Sequence, residues 1–163
     1  MALVLVRIDY RLIHGQILEA WVPITQSDCL IVANDEAAAN HIQRMVMKTV
    51  VPQDIEVAFL PIQDAIRDLT DSRWAHKRVL LILANCADAL KLFQAGCKFK
   101  RLNVGNLHFS PHKKQVTNSV ALDSGDVAVL SELNKQGVII EVRSTPKEAS
   151  LSFSEIIRLY PDL

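Results

Sequence analysis

The chain is poor in the residues that build several common kinds of site. Three cysteines stand among 163 residues, Cys29, Cys86 and Cys97. They are odd in number and widely spaced, and no CxxC pair exists. Nothing suggests a disulfide framework, and reduced, partly buried thiols are the expectation. There is no excess of either charge, with 18 Lys and Arg against 18 Asp and Glu. A general nucleic-acid binder needs a basic surplus to neutralise phosphates, so that class is set aside. No apolar run approaches the length of a transmembrane helix, and the run Met1–Val6 is too short for a signal-peptide core. The expected location is the cytoplasm. Neither a Walker loop nor a GxGxxG after the first apolar run is present, so a nucleotide would lack its usual cradle. Repeats, low-complexity tracts and linkers are missing too. With half its residues hydrophobic, the chain reads as one domain over 1–163 with a sizeable core.

What is present is an alternation of short β-branched runs with segments of helical period. Strands are expected at Ala2–Ile8, Cys29–Ala33, Ile55–Leu60, Val79–Ala84, Arg101–Val104 and Val138–Val142. Helices are expected at Gly15–Val22, ended by Pro23, and at Glu36–Val50, with apolar residues at Ala38, Ile42, Met45 and Val46. Further helices are read at Ile62–Leu69, opened by Pro61, and at Asp88–Ala95, stopped by Gly96. Two more are read at Asp123–Gln136, capped by Asp123 or Ser124, and at Ser154–Leu159, begun at Ser152 or Ser154. Gly105 to about Asn118 is polar and reads as a long loop, or as a loop entering a short strand at Gln115–Leu122. The alternation implies an α/β fold: a doubly wound, mostly parallel sheet with helices on both faces.

In such sheets chemistry gathers past the carboxyl ends of the strands. The loop after the first strand is the most unusual of these, packing Arg7, Asp9, Arg11 and His14 into eight positions. A neutral imidazole nitrogen can attack phosphorus. Gly15 and Gln16 open the following helix, so their backbone N–H groups are free to hold an anion. Arg11 adds a forked, fixed positive charge suited to phosphate oxygens. The residues alone leave three roles for His14 open: phosphoryl acceptor, ligand-orienting group or structural histidine. No cofactor and no metal is called for; His108 and His112 are four apart, but Pro111 interrupts them and no third ligand is evident.

The run RIDYRLIHGQILEAW closely resembles the R-[IV]-D-x-R-L-[IL]-H-G-Q signature of the enzyme IIB components of the mannose, fructose and sorbose class of the bacterial sugar phosphotransferase system. IVANDEAA (31–38), LNVGNLHF (102–109) and GVIIEV (137–142) are similar to further segments of that family. The resemblance implies that His14 accepts a phosphoryl group on Nδ1 from a phosphohistidine of a IIA component. The group then passes to a sugar carried through membrane IIC and IID subunits, with which the chain would associate. Arg11 is implied as the contact to the phosphoryl group, with Gly15 and Gln16 as backbone donors. A regulatory phosphoprotein of the same family, and a non-catalytic α/β domain that binds a phosphorylated metabolite, are the alternatives.

The chain departs from the family pattern at Tyr10, where an acidic residue is common, at Asn106, at Ser110-Pro111 and at Arg143-Ser-Thr-Pro146. These segments are expected to touch the sugar or a partner and to leave the phosphoryl site intact. Asp9 and His108 are candidates for supporting the site. Asp35 either orients His14 or an arginine or, the preferred reading, caps the next helix. Lys113 and Lys114 read as a solvated edge. Trp21 reads as a packing residue, with docking as its alternative role.

Overall fold

The computed structural model describes residues 2–161. The first strand, β1 (Ala2–Asp9), lies in the middle of a seven-stranded sheet. Around it come β2 (Cys29–Ala33), β3 (Glu56–Leu60), β4 (Arg78–Leu83), β5 (Arg101–Asn106), β8 (Ile139–Val142) and β9 (Leu151–Ser152). The order across the sheet is β3-β2-β4-β1-β5-β8-β9. All pairings are parallel except β8 with β9, a short antiparallel edge.

Alternation along the strands divides the interior in two. Val79, Leu81 and Leu83 of β4 face one layer with Cys29 and Ile31 of β2, while Leu80 and Ile82 face the other with Leu30 and Val32. A strand buried on both faces has to be apolar throughout, which is why CLIVA and VLLIL were legible as strands. The first layer is covered by α4 (Ile62–Thr70), α5 (Cys86–Gln94), α6 (Ser124–Lys135) and α7 (Phe153–Leu159). The second is covered by the helix that follows β1 and by α2 (Asp35–Ala39) and α3 (His41–Thr49). The expected doubly wound α/β sheet is therefore observed.

Several boundaries differ from the sequence reading for identifiable reasons. The first helix does not end at Pro23. It opens at Gly15, passes through a π-helical turn, Ile17–Trp21, and continues as α1 (Val22–Thr25) until Gln26 turns left-handed. The Val22 N–H bonds the carbonyl of Ile17, five residues back, and this wide turn lies just before Pro23, which has no N–H to give. The single helix expected at Glu36–Val50 is two, because Asn40 leaves helical geometry and its side chain caps α3 through the Gln43 N–H at 3.0 Å. The apolar stripe Ile42, Met45 and Val46 points to solvent, with Met47 turned inward instead. The polar stretch after β5 holds an antiparallel pair, β6 (Lys114–Gln115) and β7 (Ala121–Leu122), outside the main sheet. Asp123 and Ser152 are the caps of α6 and α7, each within a capping box.

The winding places one crevice. The connection from β1 runs toward the β3 edge, and the connection from β5 runs toward β9. Adjacent strands whose connections diverge leave a gap at their carboxyl ends. The loop bearing His14 and the loop after Asn106 border that gap.

Candidate active site

Alternation along β1 puts Leu5, Arg7 and Asp9 on one face while Val6 and Ile8 enter the opposite layer. Arg7 and Asp9 are thus carried inside, both with fully buried side chains. A buried pair of opposite charges is costly unless it is well hydrogen-bonded, and here each nitrogen of the guanidinium and each oxygen of the carboxylate has a partner. Arg7 Nε and Nη2 donate to Asp9 Oδ2 at 3.1 and 2.9 Å. Arg7 Nη1 donates to Asn103 Oδ1 at 2.5 Å, and Nη2 also reaches Gln16 Oε1 at 3.3 Å. The guanidinium carbon lies 5.3 Å from the Trp21 ring centre.

Gly105 is required by this arrangement. A Cβ at that position would lie 2.0 Å from Arg7 Cζ. Only a glycine on β5 lets the buried guanidinium pass.

Beyond Asp9 the chain turns sharply: Leu12 N–H bonds the Asp9 carbonyl at 2.9 Å, and Leu12 takes a left-handed φ of 59°. The turn brings His14 back over Asp9. His14 Nε2 is 2.8 Å from Asp9 Oδ2, and its side chain is only 10% exposed. Asn106 Nδ2 donates to the same oxygen at 2.8 Å, and the Arg11 backbone N–H donates to Asp9 Oδ1 at 3.1 Å. Burial pushes the Asp9 carboxyl up, but the His14 hydrogen bond, the Arg7 charge and the Asn106 amide outweigh it and hold the carboxyl below its ordinary value. Asp9 is therefore an anion that only accepts, so the proton of this bond sits on His14 Nε2. In the neutral ring, the lone pair is then on Nδ1.

Gly15 and Gln16 occupy the first turn of the helix behind His14, where backbone N–H groups have no internal acceptor. The side chain of Gln16 is committed elsewhere: its Oε1 accepts from Arg7 and Asn106, and its Nε2 donates to Ser144 Oγ at 3.0 Å. Its backbone N–H is left to serve an anion. The Arg11 guanidinium is exposed, forms no hydrogen bond or ion pair with a described residue, and borders a cleft of about 330 Å³. Tyr10, Asn106 and His108 line the same cleft, with the Tyr10 and His108 rings 5.4 Å apart.

Asp35 stands apart from this cluster. It does not orient His14; its Oδ1 accepts the Ile62 N–H that opens α4, at 2.8 Å, while its neighbour Asn34 caps α2. Trp21 is buried and donates to the Ser144 carbonyl at 2.9 Å, so it is not a docking residue. Lys113 is not a solvated edge but is paired with Asp126 at 2.5 Å. Among the described residues no group of three or more His, Cys, Asp or Glu side chains is placed to hold a metal ion.

Two of the departures noted above lie inside the cluster, contrary to expectation. Asn106 bonds Asp9, and Ser144 takes the Gln16 amide. The sequence reading gives no role to Asn103, to Gly105 or to Glu148, which accepts the Ser144 N–H at 2.9 Å, and counts Arg7 only among the charges of the first loop. A charged residue within an apolar strand was the available signal for Arg7.

The profile of the PTS system sorbose subfamily IIB component matches residues 3–160. The chain belongs to this family. A fructose-specific EIIB component of Bacillus subtilis is 32% identical over 97% of both chains. An N-acetylgalactosamine-specific enzyme IIB component of Escherichia coli is 34% identical over 95% of this chain and 98% of its own. The crystal structure of the IIBSor domain of the sorbose permease from Klebsiella pneumoniae superposes with a TM-score of 0.91 at 28% identity, covering 97% of this chain and 98% of that one. As a IIB component the chain is a phosphotransferase of the sugar phosphotransferase system. Among its described residues no helix is long and apolar enough to cross a membrane.

Proposed function

We propose that this chain, a single IIB domain, takes a phosphoryl group onto His14 Nδ1 from a phosphohistidine of a IIA component and gives it to a sugar at the cytoplasmic side of IIC and IID membrane subunits. The observation that carries this reading is the bond from His14 Nε2 to Asp9, which leaves Nδ1 as the nucleophile. As Nδ1 attacks phosphorus, the N–P bond of the donor breaks and a new N–P bond forms. The Nε2 proton stays in place, so the ring becomes cationic beside the anionic Asp9. In the second step a sugar hydroxyl attacks the same phosphorus, the N–P bond breaks, the ring leaves as neutral imidazole and the hydroxyl proton passes to water. Phosphoryl transfer of this kind depends on positioning and charge. Arg11 supplies charge from the cleft side, and the backbone N–H groups of Gly15 and Gln16 supply donors from the helix side.

The relatives named for fructose, N-acetylgalactosamine and mannose are 32, 34 and 32% identical to the chain. This supports a hexose, free or N-acetylated, as the acceptor class. The test is incubation with phosphoenolpyruvate and the upstream carriers. An acid-labile phosphoryl group is expected on the protein and none on His14→Ala; labelling that survives in that variant sinks the assignment.

A further inference from the structure

Asp9 Oδ2 is shared by more donors than it needs. His14 Nε2 and Asn106 Nδ2 are both at 2.8 Å, and Arg7 approaches with Nη2 at 2.9 Å and Nε at 3.1 Å. Asn106 is buried, and its amide cannot be turned round: the oxygen would then face Asp9 Oδ2 and, at 3.3 Å, Gln16 Oε1, both acceptors. Its backbone is also fixed, its carbonyl accepting the Tyr10 N–H at 3.1 Å. Of the neighbours of Asp9 Oδ2, it alone is an uncharged side chain held by neither the β1 strand nor the His14 turn. It is not needed to neutralise Asp9, which Arg7 already does, nor to bring His14 over Asp9, which the turn at Leu12 does.

Its effect is on the strength of the carboxylate. Every donor on one oxygen draws electron density from that oxygen and weakens what the others receive. Phosphorylation of Nδ1 turns the ring cationic, so the phosphorylated state gains more from Asp9 than the free state does. A donor that competes for Asp9 Oδ2 takes back part of that gain. Resting on the functional reading above, we propose that Asn106 is a positioning residue that sets how tightly His14 holds its phosphoryl group, by sharing Asp9 Oδ2 with the imidazole. It keeps the phosphorylated ring a ready donor to the sugar. The Asn106 amide is committed to Asp9 and Gln16, and the N–P bond forms and breaks as described above.

The test compares the wild-type chain with Asn106→Ala, both checked for native folding by circular dichroism. Each is equilibrated with a phosphorylated IIA donor at fixed ratio, and the hydrolytic half-life of the phosphoprotein is measured. The equilibrium in the variant is expected to move toward phosphorylated His14 by about fivefold, a part of the strength of one hydrogen bond to a charged group. Hydrolysis and transfer to sugar slow in step. A merely structural role would loosen the site and move the equilibrium the other way. An equilibrium within twofold of wild type, or shifted toward free His14, overturns the proposal. Should Asn106→Ala not fold, Asn106→Ser, whose hydroxyl is too short to reach Asp9 from the same backbone, carries the same test. If wild type itself takes no phosphoryl group, the functional reading fails first, and that outcome is distinct from an unchanged equilibrium between two phosphorylated proteins.

Discussion

Arg7 and Gly105 face one another across the boundary between β1 and β5, and the guanidinium occupies the space that a Cβ on residue 105 would need. The buried charge and the missing side chain are one feature. Because Arg7 holds Asp9 and Asp9 holds His14, a backbone detail on β5 reaches the His14 ring through two side chains.

Gly105→Ala is therefore expected to damage both stability and activity. Arg7 has no free space to retreat into, since its side chain is fully buried and paired with Asp9 and Asn103. Overpacking costs about 1–3 kcal/mol, with the loss of the Arg7–Asp9 geometry in addition. Urea denaturation should show the fall, and phosphoryl acceptance should drop even where the variant remains folded.

Asp9→Asn leaves the Arg7 charge buried without its counter-ion. A loss of about 3–5 kcal/mol is expected. The pH dependence gives the sign. The native Asp9 carboxyl is held below its unfolded value, so its contribution is complete above an unfolded value of about 3.9 and fades as pH falls through the native one. Melting temperatures measured from pH 7 down to pH 3 should therefore fall more steeply for wild type than for Asp9→Asn.

Arg11→Ala should separate chemistry from folding. The side chain is exposed and pairs with no described residue, so stability should change by no more than about 0.5 kcal/mol. The rate of phosphoryl acceptance should fall by about tenfold or more, as for loss of one charge-assisted hydrogen bond to a phosphoryl oxygen. A stopped-flow phosphorylation assay beside a thermal melt checks both halves.

The thiols should be inert in the native state. Burial pushes Cys29 up to about 12 and Cys97 up to about 11, and raises Cys86 well above its ordinary value. Labelling with a thiol reagent at pH 8 should be slow in native protein and rapid in 6 M guanidinium chloride.

The sheet was legible in the sequence because its strands are buried on both faces, so that runs such as VLLIL carry their own signature. Asp9, Arg11, His14, Gly15 and Gln16 were legible because they are neighbours in the chain. Asn106 and Ser144 were read as departures belonging to other surfaces, yet they meet Asp9 and Gln16 from 97 and 128 residues away. Contacts of that separation depend on strand order, and no local pattern reports that β5 lies beside β1. The break at Asn40 was missed because Asn40 caps α3 in the middle of an otherwise helical period. The outward stripe on α3 was seen as periodicity, but periodicity alone does not say which way a stripe faces.

If Asp9 holds the proton on Nε2, Nδ1 of His14 is the nitrogen left for the phosphoryl group. Nitrogen-15 NMR of the phosphorylated protein, with phosphorus coupling observed at one ring nitrogen, tests it most directly. Coupling at Nδ1, with the Nε2 proton still present, is the expected result. Coupling at Nε2, or a phosphoryl group on any residue other than His14, would contradict it.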